Sequence, residues 1–506
     1  MTRSTGPTTL LGLMASIPAD QTAIILPEQN ISVTYGGLRS QITGFAEALA
    51  AHGIGRGDRV GMALPNGLPT IVAFLAASEV GTAAPLNPAY KEDEFRFYLE
   101  DTSARVLLLP PTGADEARRA AGANVPVLSV DLDANGIVSL DGKTSGRPYE
   151  PPVMDDVALI LHTSGSTGRP KRVPLKHKNL SISAHNVAAS YNLTASDVSM
   201  CVMPLFHVHG LVASTLATLA TGGTVIVPGK FNPLSFWRVV RDHKATWYSA
   251  VPTMHQLLLA RAEPGARPAG AENLRFIRSC SASLPPQVMH DLEAAFGAPV
   301  LEAYGMTEAA HQMASNPLPP SARKAGSVGP GTNVGISIRD GDGNVLPSGQ
   351  PGEVCINGPN VITGYENNPE ANATSFFGDW FRTGDQGVLD DHGYLSLTGR
   401  LKEMINRGGE KIAPREIDEV LLAHPAVAEA VCFGAPHQMW GEEVAAAVVL
   451  REGASATEAE ILAHCKSRLS DFKRPKQIFI TQAIPRTATG KIQRRLVAQA
   501  FSQQPA

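Results

Sequence analysis

Apolar residues recur at Leu38, Ile42, Phe45 and Leu49, spacings of four, three and four that lay one apolar stripe along a helix. Gly53 and Gly55 close that helix, and Val60-Gly61-Met62-Ala63-Leu64 reads as the strand after it. The alternation continues with a helix from Thr70 to Val80 stopped by Gly81, then the strand-like runs Val106-Leu107-Leu108-Leu109 and Val157-Ala158-Leu159-Ile160-Leu161. Apolar strands alternating with helices predict parallel sheets covered by helices through most of the first four hundred residues.

Between Gly326 and Gly399 the texture changes. Short strand-like pieces, Gly335 to Arg339, Gly352 to Ile356 and Gly393 to Leu397, lie between Gly, Pro, Asn and Asp turns, which predicts antiparallel β structure. After Arg400 a segment of its own begins. It holds a helix from Pro414 to Ala423 with proline at its first position, strands over Ala428 to Phe433 and Val444 to Leu450, and a helix from Thr457 to Leu469. The expected architecture is α/β. A large N-terminal domain over 1–399 combines parallel sheets covered by helices with a small antiparallel β subdomain; a hinge over 400–403 leads to a small α+β domain over 404–506.

Composition narrows the classes. A chain of 506 residues exceeds one ordinary core, which agrees with several units. A formal net charge of −4 gives no basic surface for nucleic acid. The five cysteines (Cys201, Cys280, Cys355, Cys432, Cys465) form no CxxC pair, so neither a disulfide framework nor a zinc cluster is indicated and a reducing compartment is expected. Met1 to Pro7 opens no signal peptide, apolar stretches fall short of the roughly 20 residues of a spanning helix, and the last residues are not a Ser-Lys-Leu address. Cytoplasm is the expected location; the oligomeric state is not legible.

The run Leu161-His162-Thr163-Ser164-Gly165-Ser166-Thr167-Gly168-Arg169-Pro170-Lys171 carries the most chemistry. A strand entering a loop of hydroxyls and glycines and ending in lysine suits phosphate: the glycines let backbone N–H groups approach, and Lys171 adds charge. It is not a Walker A loop, since Lys171 stands three places after Gly168. Five further segments suit the same ligand. Tyr304, Thr307 and Glu308 offer a ring for a base, a hydroxyl for a phosphate and a carboxylate for Mg²⁺. Asp385, after Gly384, can accept from two ribose hydroxyls. Arg400 stands at the composition shift, within reach of ribose or phosphate. Lys491 ends the basic turn Pro485-Arg486-Thr487-Ala488-Thr489-Gly490-Lys491. His207 and His209, two apart with no carboxylate or cysteine nearby in sequence, fit a pocket wall or gate better than a metal, and His209 also fits a packed, hydrogen-bonded histidine. Singly, these segments also fit ordinary turns, linkers and solvated tails.

Together and in this order they make the chain resemble the adenylate-forming superfamily of acyl-CoA synthetases, amino-acid adenylation domains and luciferases, over nearly its whole length. The strings Pro204-Leu205-Phe206-His207-Val208-His209-Gly210, Arg278-Ser279-Cys280-Ser281-Ala282-Ser283-Leu284 and Ile405-Asn406-Arg407-Gly408-Gly409-Glu410-Lys411-Ile412 are similar to oxalate–CoA ligases. Arg172 departs from the family, which usually has glycine after the loop lysine.

The resemblance implies an acid–CoA ligase working in two steps. A carboxylate attacks the α-phosphate of ATP, giving an acyl-adenylate and pyrophosphate; the thiol of coenzyme A then displaces AMP. It implies Lys491 at the acyl and α-phosphate oxygens, Mg²⁺ on Glu308, and the loop Thr163 to Lys171 on the β- and γ-phosphates. Thr307 would contact the α-phosphate, Tyr304 lie against adenine, and Asp385 and Arg400 hold the ribose. Gly409, Trp440, Phe472 and Arg474 would receive coenzyme A, and the small domain would be mobile, rotating about Lys402 between steps. Ser281, His311 and His207 would face the acid, with Thr307 to His311 turning helically so that His311 returns to the side of Thr307. An anion beside His311 favours a charged imidazole. A ligase for an aromatic or medium-chain acid, or a non-catalytic nucleotide-binding module, are the alternatives.

Overall fold

The computed structural model of the chain describes residues 8–141, 146–163, 170–263, 265–486 and 492–501. The apolar stripe becomes the helix Tyr35–Ala51, with Leu38, Ile42, Phe45 and Leu49 buried and the Thr34 hydroxyl accepting from the Gly37 N–H as N-cap. The next helix, Leu68–Val80, buries nearly every residue, as a helix apolar all round must.

Two large sheets follow from the alternation, with one correction: both are mixed rather than parallel. The eight-stranded sheet runs in the order His311–Ser315, Val300–Met306, Phe276–Ser279, Trp247–Ala250, Val198–Cys201, Thr224–Ile226, Thr22–Leu26, Ile31–Thr34. The seven-stranded sheet runs Val138–Leu140, Val127–Leu132, Ala104–Leu109, Arg59–Met62, Thr82–Pro85, Val157–Thr163, Lys171–Lys176. Inner neighbours are parallel, but each sheet ends in an antiparallel pair at both edges. Two of these edge pairs carry the loop and the Tyr304 to Glu308 segment, so the correction bears on the site.

The antiparallel subdomain forms as expected from Gly335–Arg339, Gly352–Asn357, Trp380–Leu389 and Leu395–Arg400, with the short Phe376–Phe377 at one edge. The last long strand starts two residues later than the pattern predicts. Asp390 accepts from the N–H groups of His392 and Tyr394 and holds that stretch as a turn. Beyond Arg400 a further sheet (Glu410–Ile412, Ile405–Arg407, Gly441–Leu450, Val427–His437, Gln477–Thr481) has a core of its own, including Ile405, Ile417, Val444 and Ile461. Its described α-helices are Pro414–Leu422, with proline at the first turn, Glu458–Lys466, started by a capping box between Thr457 and Glu460, and Arg494–Phe501. All five cysteines are buried and unbridged. No described helix is long and apolar enough to cross a membrane.

Glu302, on the strand Val300–Met306, is 1% exposed. One carboxyl oxygen accepts from the Leu284 N–H at 2.9 Å, and the other has no partner among the described residues. Burial pushes its pKa from 4.5 up to about 7, against the pull of Arg415 and the Leu284 N–H. Between those values the folded chain keeps a proton that the unfolded chain releases, so stability falls as pH rises, by roughly 1.4 kcal/mol per pH unit. Glu302→Gln, which cannot ionise, is expected to raise the melting temperature at pH 8 and to leave it unchanged below about pH 4.5. Equal melting shifts at both pH values would show that ionisation of Glu302 is not the cause.

Candidate active site

The hairpin Val157–Thr163 and Lys171–Lys176 sets Thr163 opposite Lys171. The loop residues Ser164, Gly165, Ser166, Thr167 and Gly168 lie outside the described residues, as does Lys491. Lys171 Nζ sits 4.5 Å from the centre of the Tyr365 ring, and the Tyr365 hydroxyl donates to Glu308 Oε1 at 2.9 Å. Glu308 is buried, and burial raises its carboxyl pKa while the Tyr365 hydroxyl and Lys171 oppose the rise. Lys171 shows the converse: burial lowers its ammonium, Glu308 raises it, and Lys402 adds like-charge repulsion. Lys171, Glu308 and Lys402 thus share one electrostatic neighbourhood.

Asp385 and Arg400 are opposite each other in the antiparallel pair Trp380–Leu389 and Leu395–Arg400. Arg400 Nε lies 3.0 Å from Asp385 Oδ1, and Tyr304 donates its hydroxyl to Asp385 Oδ2. Burial first, then the Asp385 charge, pushes the Tyr304 phenol well above its ordinary value. Tyr304 and Arg400, from separate segments, therefore meet on the Asp385 carboxylate. Lys402 lies on the short turn Leu401–Glu403, whose Glu403 pairs with Arg494 at 3.3 Å.

At the other end of this segment the helical expectation fails. Thr307–Ala309 makes one 3-10 turn, Ala310 takes φ 51° in the left-handed region, and His311 begins the strand His311–Ser315 opposite Met306. The reversal still carries His311 back beside its own strand. Its ring centre lies 5.1 Å from that of His209. His209 is fully buried at the start of the π-helical stretch His209–Leu216, between Ser281 Oγ at 2.9 Å and Ser249 Oγ at 2.6 Å. Ser281 has φ 74° and His311 φ 118°, both unusual for residues with a Cβ. Such conformations persist where the surroundings enforce them, and they gather at functional sites. His207 is half-buried, and its Nδ1 accepts from the His209 N–H at 3.2 Å.

In the C-terminal sheet, Gly409 has φ 98° and open space where a Cβ would stand, and the neighbouring Gly408 N–H donates to the Trp440 carbonyl at 2.8 Å. Trp440 is exposed, with the Arg407 guanidinium 4.9 Å from its ring centre. Phe472 lies on the turn Asp471–Lys473, and Arg474 pairs with Asp471. Trp440 and the two glycines thus come together, while Phe472 and Arg474 stand on a separate turn.

Sequence reasoning missed several partners. Arg172 donates to the Asp101 carbonyl at 2.6 Å and reaches the carboxylates of Asp101 and Glu366 at 3.4 Å each. His162, opposite it in the hairpin, bonds the same Asp101 at 3.0 Å. Where the family usually has glycine, Arg172 is thus held in a charged clamp on the hairpin strands. Nothing local in the sequence signals Asp101, Glu366 or Tyr365. Arg278 does leave a signal, a charge inside the apolar run Phe276-Ile277-Arg278, and it is fully buried.

Residues 14–366 match the model of the AMP-binding enzyme family, and residues 416–491 match that of the AMP-binding enzyme C-terminal domain. The chain is 47% identical to a probable CoA ligase of Humulus lupulus, over 97% of this chain and 96% of that one. It is 46% identical to the oxalate–CoA ligase of Arabidopsis thaliana, over 98% and 99%. The solved structure of ATP-bound MatB from Rhodopseudomonas palustris superposes with a TM-score of 0.88 at 30% identity, covering 98% of this chain and 99% of that one. The chain belongs to the AMP-binding enzymes, in their acyl-CoA synthetase branch. It is an ATP-dependent acid–CoA ligase that works through an acyl-adenylate.

Proposed function

We propose that the acid is a short dicarboxylate, oxalate best of all, and that the product is its CoA thioester. The observation that carries this reading is the polar lining beside Thr307: Ser281 and His311 around the buried His209. A greasy acid needs an apolar wall, whereas burying a second carboxylate without donors costs several kcal/mol. The 46% identity to an oxalate–CoA ligase supports the same choice.

In this reading Asp385 and Arg400 hold the ribose and Tyr304 borders the adenine. Thr307 contacts the α-phosphate, while Thr163, Ser164, Gly165, Ser166, Thr167, Gly168 and Lys171 surround the outer phosphates. Mg²⁺ arriving with ATP suits a single buried carboxylate such as Glu308, because magnesium takes most of its ligands from phosphate and water. It would neutralise phosphate charge there. His207 lines the acid end. Coenzyme A enters past Gly409 and Trp440, with Phe472 and Arg474 on its nucleotide. The chain divides into 1–399 and 404–506, and the second part rotates about Lys402 in 400–403 between the two steps. Five buried, unbridged cysteines suit a reducing, cytoplasmic setting.

The test is AMP release by the purified protein with ATP, coenzyme A and a panel of oxalate, malonate, acetate, butyrate, hexanoate and a cinnamate. Oxalate is expected to give the highest kcat/KM. His311→Ala is expected to lower kcat/KM for oxalate by about 100-fold relative to acetate, the scale of a lost hydrogen bond to a charged group. A wild-type preference for hexanoate or the cinnamate would overturn the dicarboxylate.

A further inference from the structure

Arg278 stands on the strand Phe276–Ser279 and is 0% exposed. Its N–H groups meet five oxygen and nitrogen acceptors, and the Cys280 thiol lies beside it as well. Nε donates to the Tyr191 hydroxyl at 2.8 Å. Nη1 donates to Ser249 Oγ at 2.9 Å and faces His209 Nε2 at 3.4 Å. Nη2 donates to Gln312 Oε1 at 3.0 Å and faces His311 Nε2 at 3.5 Å. None of these partners is a carboxylate, and Arg278 forms no ion pair among the described residues. Buried charges are ordinarily paired.

A guanidinium only donates, so every one of these neighbours must turn a lone pair towards it. Proton positions further out then follow in order. Ser249 Oγ accepts from Arg278 and gives its own proton to His209 Nε2. Nε2 is therefore unprotonated, the ring carries its proton on Nδ1, and Nδ1 donates to Ser281 Oγ. The Ser281 hydroxyl proton is left over, and among the described residues Ser281 Oγ bonds only to His209. In the second branch His311 Nε2 faces Arg278, so its proton also lies on Nδ1. The fixed positive charge of this region thus resides on Arg278, where the sequence pointed to an imidazolium at His311.

Building on the dicarboxylate reading, we propose that Arg278 selects an ionised second carboxylate on the acid by orienting two hydrogen-bond chains, Arg278–Ser249–His209–Ser281 and Arg278–His311. Their outer ends become donors, which suits a group that only accepts. The substrate carboxylate supplies the counter-charge that the protein withholds. Arg278 acts through other residues and is a positioning residue; its effect appears as discrimination between a carboxylate and an amide of equal size.

Acid-dependent ATP–pyrophosphate exchange on the full chain, with oxalate and with oxamate, tests this. The wild type is expected to prefer oxalate by about 100-fold in kcat/KM, and Arg278→Met to reduce that preference by about 30-fold, on the scale of charge-assisted hydrogen bonds. Arg278→Lys, a point charge without the fork, should recover only part of it. Ser249→Ala keeps the cation, interrupts the first chain and should reduce the preference by about tenfold, which decides the matter if Arg278→Met does not fold. Nitrogen-15 NMR of the histidine rings should show His209 and His311 of the wild type protonated on Nδ1. Equal loss on both acids, an unchanged preference in Ser249→Ala, or a proton on His209 Nε2 would each overturn the role of Arg278 while leaving oxalate as the substrate. A wild type that activates no short dicarboxylate would overturn both.

Discussion

Lys491→Ala is expected to abolish adenylation and to spare the second half-reaction. The acid and ATP are both anions, so the first step needs positive charge where they meet and where charge develops. Thioester formation from ready-made acyl-adenylate brings in a thiol and has no such need of this lysine. Lys491 itself lies outside the described residues, but both ends of its segment are fixed. Arg486 and Ile492 form an antiparallel bridge, and Arg486 pairs with Glu429. Arg494 is held by Asp418 at 2.8 Å and also reaches Glu403 in the proposed hinge. Acid-dependent ATP–pyrophosphate exchange should fall on the order of 1000-fold, the scale of removing a transition-state charge partner. Thioester formation from pre-made acyl-adenylate should stay within about threefold of wild type. Equal losses in both assays would take this role from Lys491.

How far the site could be read in advance depends on the kind of pattern each part leaves. The Tyr35–Ala51 helix and the strand Val157–Thr163 are local periodicities, and they are where the apolar pattern puts them. The direction of a neighbouring strand is not local. Val157 to Leu161 is apolar whether its partner runs parallel or antiparallel, so the mixed edges were out of reach. The stretch Thr307 to His311 is too short to show a period, and one left-handed residue, Ala310, turns the expected helix into a strand reversal. Tyr304, Asp385 and Arg400 were legible as members of an ordered set of motifs, yet their common contact joins positions 81 apart in the case of Tyr304 and Asp385. Arg278 showed itself as a charge in an apolar strand. Ser249, His209, Gln312 and His311 come from three other elements and Tyr191 from the cap of a helix, and no spacing rule assembles them.

Gly305→Ala should disable adenylation although it adds a single methyl group. Gly305 lies between Tyr304, bonded to Asp385, and the Thr307–Ala309 turn that carries Glu308. Across the hairpin it faces the start of the strand His311–Ser315, and the register shifts between Tyr304 and Gly305. A Cβ at Gly305 would stand 2.3 Å from the His311 carbonyl oxygen, 2.4 Å from His311 Nδ1 and 2.8 Å from the His311 carbonyl carbon. Two of those atoms are backbone, so no side-chain rotation relieves the overlap. The strands must part, which moves His311 away from Arg278 and shifts Thr307 and Glu308 against Lys171. Overpacking of this kind costs about 1–3 kcal/mol, so the fold should survive while the geometry does not. Acid-dependent exchange is expected to fall about 100-fold, since small misplacements of reacting groups lose rate on that scale. Gly44 is the control: it lies on the exposed face of the helix Tyr35–Ala51, with nothing within 4 Å of a built Cβ. There the same substitution should stabilise by about 0.5–1 kcal/mol through helix propensity and leave turnover unchanged. If Gly305→Ala adenylated its acid as fast as Gly44→Ala, the close approach of this strand to His311 would have no part in the reaction.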